Sequence, residues 1–135
     1  MNYENQTYDE LHEGQTAQLR RTCMEDDFYV FANASGNHNP LHLADIDGDG
    51  DGIPEMQAPG LWVGSLVSAV IGNILPGAGT NYVSQKFEFL DHAYAGDELV
   101  AKVEVLEKRD GRLVLLGTTV QRQSDSAVLV LSLIH

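Results

Sequence analysis

Apolar positions change their spacing several times along the chain, and each change marks an element. Residues Met1 to Gly14 are polar and form a lead-in, whereas Gln15 to Met24 alternates enough to predict a first strand. Glu25, Asp26 and Asp27 then open a short helix through Phe28, Val30, Phe31 and Ala32, because acidic residues suit the positive end of a helix dipole. Ser35 and Gly36 stop it. Asn37 to His42 is a Pro-containing turn, and Leu43 to Pro59, rich in Gly and Asp, is read as a loop.

From Gly60 a helix is predicted through LWVGSLVSAVIGNIL, closed by Pro76 and Gly77. It is apolar nearly all round, as a helix is when something wraps it on several sides, and Gly64, Ser65, Ser68, Ala69 and Gly72 permit close approach. Asn81 to Leu90, Glu98 to Arg109, Arg112 to Gln123 and Ala127 to Ile134 carry the β-branched alternation of strands. Asp110-Gly111 signals a hairpin, and Ser124-Asp125-Ser126 signals one more weakly. The expected class is α+β over residues 1–135, a long central helix against an antiparallel sheet whose edges pair across a two-fold axis into a homodimer or larger assembly.

Charge narrows the partners. Twenty acidic against eight basic residues leave a net charge of -12, and no cationic cluster is visible, so a nucleic-acid backbone is repelled. The most apolar segment, Leu61 to Leu75, is shorter than the ~20 residues that cross a bilayer. Without a basic start and apolar stretch at the N-terminus, and with Cys23 as the single cysteine, a reducing cytoplasm is the expected setting. Cys23 lies in an apolar strand context and is read as buried and inert.

Asn37-His38-Asn39-Pro40-Leu41-His42 resembles the D-x-N-P-[LI]-H signature of the MaoC-like hydratases and dehydratases, of the (R)-specific enoyl-CoA hydratase type. The likeness continues in order through most of the chain. Glu13-Gly14 and the strand ending in Arg20-Arg21 resemble the family's opening strand, Gly60 to Pro76 its central helix and L-P-G turn, and Tyr94-Ala95-Gly96-Asp97 its G-D turn. The resemblance implies a single hotdog fold that acts on trans-2-enoyl or (R)-3-hydroxyacyl thioesters, carried by coenzyme A or by an acyl-carrier protein, without a cofactor. It implies His42 as the main acid/base at the pocket and the amide of Gly60 as donor to the thioester oxygen, which collects negative charge as water adds. Pro40, Leu41, Trp62 and Ser65 fall where substrate is expected, with Trp62 and Leu66 lining core or acyl pocket and Ser65 either touching the thioester or packing.

The chain departs from the pattern at two positions. Asn37 stands where the family has Asp, and an amide orients a water but does not take its proton. Pro59 stands where a His is common and has no N–H to donate. Two other readings stay open: a hotdog thioesterase, and a non-catalytic acyl-thioester-binding subunit, which the missing carboxylate favours. Elsewhere His12, His38 and His92 are too widely spaced for a metal site. Asp45, Asp47, Asp49 and Asp51 resemble the start of a calcium loop, yet the twelfth position, counted from Asp45 or Asp47, is Met56 or Ala58, and Glu55 substitutes only partly. No metal is expected.

Overall fold

The computed structural model describes residues 5–39 and 56–135. Its elements in chain order are β1 (Thr16–Thr22), α1 (Glu25–Ser35), α2 (Gly60–Asn73), β2 (Gln85–Phe89), β3 (Glu98–Arg109), β4 (Leu113–Arg122) and β5 (Val128–Ile134). The strands form one sheet in the order β1-β3-β4-β5-β2, with every neighbouring pair antiparallel. Long α2 lies across one face of that sheet, which is the expected α+β hotdog arrangement.

Alternation along the strands builds the core. Leu99, Ala101, Val103 and Val105 of β3, Leu116 and Val120 of β4, and Val130 and Ile134 of β5 are buried on the face toward α2. Helix α2 answers with Val63, Val67, Val70 and Ile71, whose spacing places them on one side of a 3.6-residue period. Each such side chain contributes roughly 1.5–3 kcal/mol when fully buried. Two buried polar residues sit on this inner face, Thr118 and Ser132, and their hydroxyls bond each other, while half-buried Gln85 on the same face donates through Nε2 to Ser132 Oγ at 3.3 Å. Paired in this way, they avoid the penalty of burying unsatisfied groups.

Sequence and structure differ at three places. Residues 81–84, expected in a strand, lie outside β2: Val83 N–H and Ser84 N–H both donate to the single carbonyl of His135, which interrupts the regular ladder. Helix α2 is covered on the sheet side, but Leu61, Ser65, Ser68 and Gly72 form an exposed stripe at spacings of four and three. Except for Leu61 these are small residues, so little apolar surface is left open. The Asp110-Gly111 hairpin forms, with Gly111 at φ 77° and Arg112 at φ 60°, so the left-handed region extends one residue further than the turn signal.

Close approach of helix and strand depends on two glycines. A Cβ at Gly64 would stand 2.7 Å from the Phe87 ring, and one at Gly60 would stand 3.1 Å from the Phe89 ring. At Gly72, by contrast, nothing lies within 4 Å. Gly72→Ala is therefore expected to stabilise the fold by about 1 kcal/mol through helix propensity. Gly64→Ala is expected to destabilise it by roughly 1–3 kcal/mol through overpacking. Denaturant unfolding of the two variants checks this, and equal effects at both positions would refute the contact.

Candidate active site

The described site is built around the start of α2. Pro59 precedes the helix, and the first intrahelical bond runs from Val63 N–H to Pro59 C=O at 3.1 Å, so the N–H groups of Gly60, Leu61 and Trp62 have no acceptor within the helix. Gly60 is exposed, and a Cβ there would stand 3.1 Å from the Phe89 ring, so a side chain fits only if that ring shifts slightly. An exposed pair of amides at the positive end of a helix is suited to an oxygen that gathers negative charge.

A turn at residues 94–97 holds this helix start beside α1. On one side of the turn, Ala58 N–H donates to Ala93 C=O at 2.8 Å and Ala95 N–H donates to Met56 C=O at 2.9 Å, which docks the segment leading into α2. On the other, Gly96 N–H donates to Cys23 C=O and Cys23 N–H to Asp97 C=O, both at 2.8 Å, which docks the segment leading into α1. Asp97 fixes the turn itself: its carboxylate accepts from Tyr94 N–H at 2.9 Å and from Arg122 Nε at 3.2 Å. Gly96, at φ 96°, supplies the left-handed step that the turn requires. The cores of the two helices then meet where Phe28 packs edge-on against Trp62, with ring centroids 5.6 Å apart.

Helix α1 ends close to where the motif begins. Gly36 takes the left-handed position at φ 78°, its N–H donating to Ala32 C=O at 2.8 Å. Asn37 follows, exposed, with its N–H donating to Ser35 Oγ at 3.1 Å and its side-chain oxygen accepting from Asn39 N–H at 3.2 Å. That second bond is an Asx turn, the local device by which Asn and Asp start a bend. Pro40, Leu41 and His42, and the acidic run from Asp45 to Glu55, lie outside the described residues.

Of the other residues singled out from sequence, Trp62 is buried and Ser65 is exposed with its hydroxyl turned back to Trp62 C=O at 2.6 Å. His38 is exposed, and His92 meets Gln57 through Nδ1 at 3.0 Å. Among the described residues no group of three or more His, Cys, Asp or Glu side chains converges as a metal site, and no helix is long and apolar enough to cross a membrane. Sequence reasoning missed Phe87 and Phe89, which read simply as strand alternation, and Asp97, noted only for its turn. It also missed a cavity of about 510 Å³ at the opposite end of α2, between Leu11, Ile71, Pro76, Leu116 and Ile134. Of the described residues proposed for the site, none lines it.

Residues 6–126 match the family described as MaoC like domain. The chain belongs to that MaoC-like family. Over 98 residues it is 35% identical to an (R)-specific enoyl-CoA hydratase of Rhodospirillum rubrum, covering 73% of this chain and 68% of that enzyme. It is also 35% identical over 100 residues to a 3-hydroxybutyryl-CoA dehydratase of Methylorubrum extorquens, covering 74% of this chain and 64% of that one. The chain thus spans about two thirds of the length of these two relatives. Among solved structures, the unliganded R-hydratase PhaJ1 of Pseudomonas aeruginosa superposes with a TM-score of 0.88 at 35% identity, over 96% of this chain and 83% of that one.

In this MaoC-like chain Cys23 stands at the junction of β1 and α1, fully buried. Burial, reinforced by the negative charges of Asp97 and Asp27, pushes its thiol from the ordinary 9.0 up to about 12. A thiol held protonated is a poor nucleophile, as expected from the sequence. Because the folded state holds this proton more tightly than the unfolded chain, the contribution to stability is complete below pH 9.0 and declines as pH rises toward about 12. A thiol-specific disulfide reagent at pH 8 is expected to label Cys23 only at the rate of unfolding; rapid stoichiometric labelling of folded protein would contradict this.

Proposed function

We propose that the chain is an (R)-specific enoyl-CoA hydratase or 3-hydroxyacyl dehydratase, adding water to a trans-2-enoyl thioester or removing it from an (R)-3-hydroxyacyl thioester. The observation that carries this reading is the side-chain-free start of α2, with open amides at Gly60 and Leu61, in a chain 35% identical to enzymes named for these reactions. In the hydration direction, a water held by the Asn37 carboxamide attacks the β-carbon. His42 takes its proton and returns one to the α-carbon, while the Gly60 N–H holds the oxygen of the enolate formed in between. Pro40, Leu41, Trp62 and Ser65 are assigned to the surroundings of the thioester. The substrate is carried by coenzyme A or by an acyl-carrier protein, and a cytoplasmic setting suits both.

The working unit proposed is a homodimer paired along the free edge of β2. Antiparallel pairing of two β2 strands about Phe87 sets Lys86 of each copy beside Glu88 of the other, a self-complementary edge. The opposite edge, β1, carries Arg20 and Arg21 but no acidic residue to answer them. Exposed Val83, Phe89, Leu90 and Leu61 flank β2 and give the pairing an apolar margin. Light scattering at micromolar concentration is expected to find a dimer or larger; a monomer sinks this proposal.

One feature favours a second reading. Asn37 cannot serve as a base, and loss of a general base commonly costs on the order of 10²- to 10⁴-fold, so an acyl-thioester-binding subunit of the same fold is the alternative. Absorbance of the crotonyl-CoA enone decides between them. Asn37→Asp is expected to raise hydration at least about tenfold, and His42→Ala to lower whatever rate the parent shows. If neither substitution changes the rate while crotonyl-CoA still binds, the binding subunit replaces the hydratase; release of free thiol points instead to a thioesterase.

A further inference from the structure

The chain crosses over the start of α2 in a short exposed loop, residues 90–92. Phe89, just before it, packs its ring against Gly60, and Ala93 C=O, just after it, accepts Ala58 N–H at 2.8 Å, so both ends of the loop are tied to the helix start. Gln57 pairs with Tyr94 in an antiparallel bridge, and two residues further along the same register His92 falls opposite Pro59, where cross-strand Cβ atoms stand roughly 5 Å apart. Pro59 has no N–H to offer there.

Hydrogen bonds fix the loop along its length. Leu90 N–H and Asp91 N–H donate to Leu129 C=O, His92 N–H donates to Asp91 Oδ1 at 2.7 Å, and His92 C=O accepts from Arg122 Nη2. Gln57, 8% exposed, donates through Nε2 to His92 Nδ1 at 3.0 Å. An amide nitrogen only donates, so Nδ1 is the acceptor and the neutral ring carries its proton on Nε2. Among the described residues that N–H meets no acceptor. A buried amide thus holds an exposed imidazole in one tautomer, with its donor left open beside the helix start.

Exposure decides which part of a thioester meets this donor. Leu90, Asp91 and His92 are exposed, whereas Trp62, Val63 and Leu66 behind the helix start are buried. Beyond its third carbon an acyl chain has nothing that accepts an N–H, and it gains by leaving water. The arm on the sulfur carries amide carbonyls and has to reach solvent, where coenzyme A or a carrier protein is. We propose that His92 Nε2–H donates to the first amide carbonyl of the pantetheine arm when the thioester oxygen is on Gly60 N–H. The proposal rests on the reading of the α2 start as the thioester site. Gln57 acts through His92 as a positioning residue, because it keeps the ring's proton off Nδ1.

Matched crotonyl thioesters test this, one on N-acetylcysteamine, which keeps the first amide, and one on a linear alkanethiol of equal length, which has none. His92→Phe, a ring without the N–H, is expected to shift the ratio of the two dissociation constants about fivefold against the amide-bearing thioester. His92→Gln, whose side-chain N–H replaces Nε2–H, is expected to keep the parent's ratio, and Gln57→Leu to shift it less than His92→Phe in the same direction. In turnover the loss falls on KM more than on kcat. Crotonyl-CoA and crotonyl acyl-carrier protein, run in the same way, separate the two sources of the arm: the source is the one that the parent binds more tightly, and His92→Phe weakens it about fivefold. An unchanged ratio in folded His92→Phe protein, verified by circular dichroism, overturns the proposal. Binding without hydration by the parent removes the hydratase reading alone, since the ratio still reports on His92, and no binding of any thioester removes both.

Discussion

The structure depends on a match between two repeats, one on a strand and one on a helix. Phe87 and Phe89 are two residues apart on β2 and so face the same way, roughly 6.6–6.8 Å apart along the strand. Gly60 and Gly64 are four apart on α2, one turn, or about 6 Å along the axis. The near equality of the spacings lets each ring sit on one glycine, and the rings stack on each other with centroids 5.5 Å apart. With a larger residue at 64 the ring or the helix would have to move, whereas at 60 a small shift of the half-exposed Phe89 ring would suffice. If the helix moved, its first turn, and the amides that it presents, would shift with it.

A second constraint joins what the first leaves separate. The turn at residues 94–97 ties the start of α1 to the start of α2, and the eleven residues of α1 then carry the chain roughly 16 Å onward to Asn37. The turn from Tyr94 to Asp97 binds backbone on both sides, Met56 and Ala58 before α2 and Cys23 before α1. Its rigidity rests on Asp97, whose carboxylate is held between Tyr94 N–H and the partly buried Arg122 guanidinium. An ion pair at an exposed site contributes little, but here it carries hydrogen bonds to backbone and a second carboxylate, Asp125, on the same guanidinium. The acidic sequence spends one of its few cations on this junction.

The elements were legible where a single local rule governs them. Strand β3 was expected and found at Glu98–Arg109, because its alternation from Leu99 to Val105 is buried on one face, although the sequence did not show the bulge at Leu106. Helix α1 was expected from its acidic start and its Gly36 stop, and both are present as cap features. Strand β2 was read too long, since its ends are shaped by carbonyls of the distant residues His135 and Leu129, each shared by two N–H groups. Likewise, the wrapping of α2 was overestimated because a sequence records apolar residues but not which of them a single chain covers. At the site, Gly60 was legible as a helix start, while Phe89 behind it was not, because alternation places it on a face without naming what it meets. The motif resemblance located Asn37, Pro40, Leu41 and His42; the geometry of the last three lies outside the described residues.

Asn37 shows why a fold can survive a change that its chemistry does not. Its structural task is to accept the Asn39 N–H and start the turn after Gly36, and an amide oxygen and a carboxylate oxygen perform that task alike. The residue is exposed in the single chain, so neither form is penalised by burial there. Folding discriminates between them only modestly, the negative end of α1 opposing a carboxylate there by about 0.3–1 kcal/mol. The difference grows when a thioester or a second subunit covers the position. A carboxylate that has lost water is then driven toward accepting a proton, with the turn's N–H pulling in the opposite direction. An amide feels neither pull. The larger difference between Asn and Asp thus lies in the chemistry of the bound state, while the turn, the helix stop before it and the packing of Phe28 on Trp62 are the same for both.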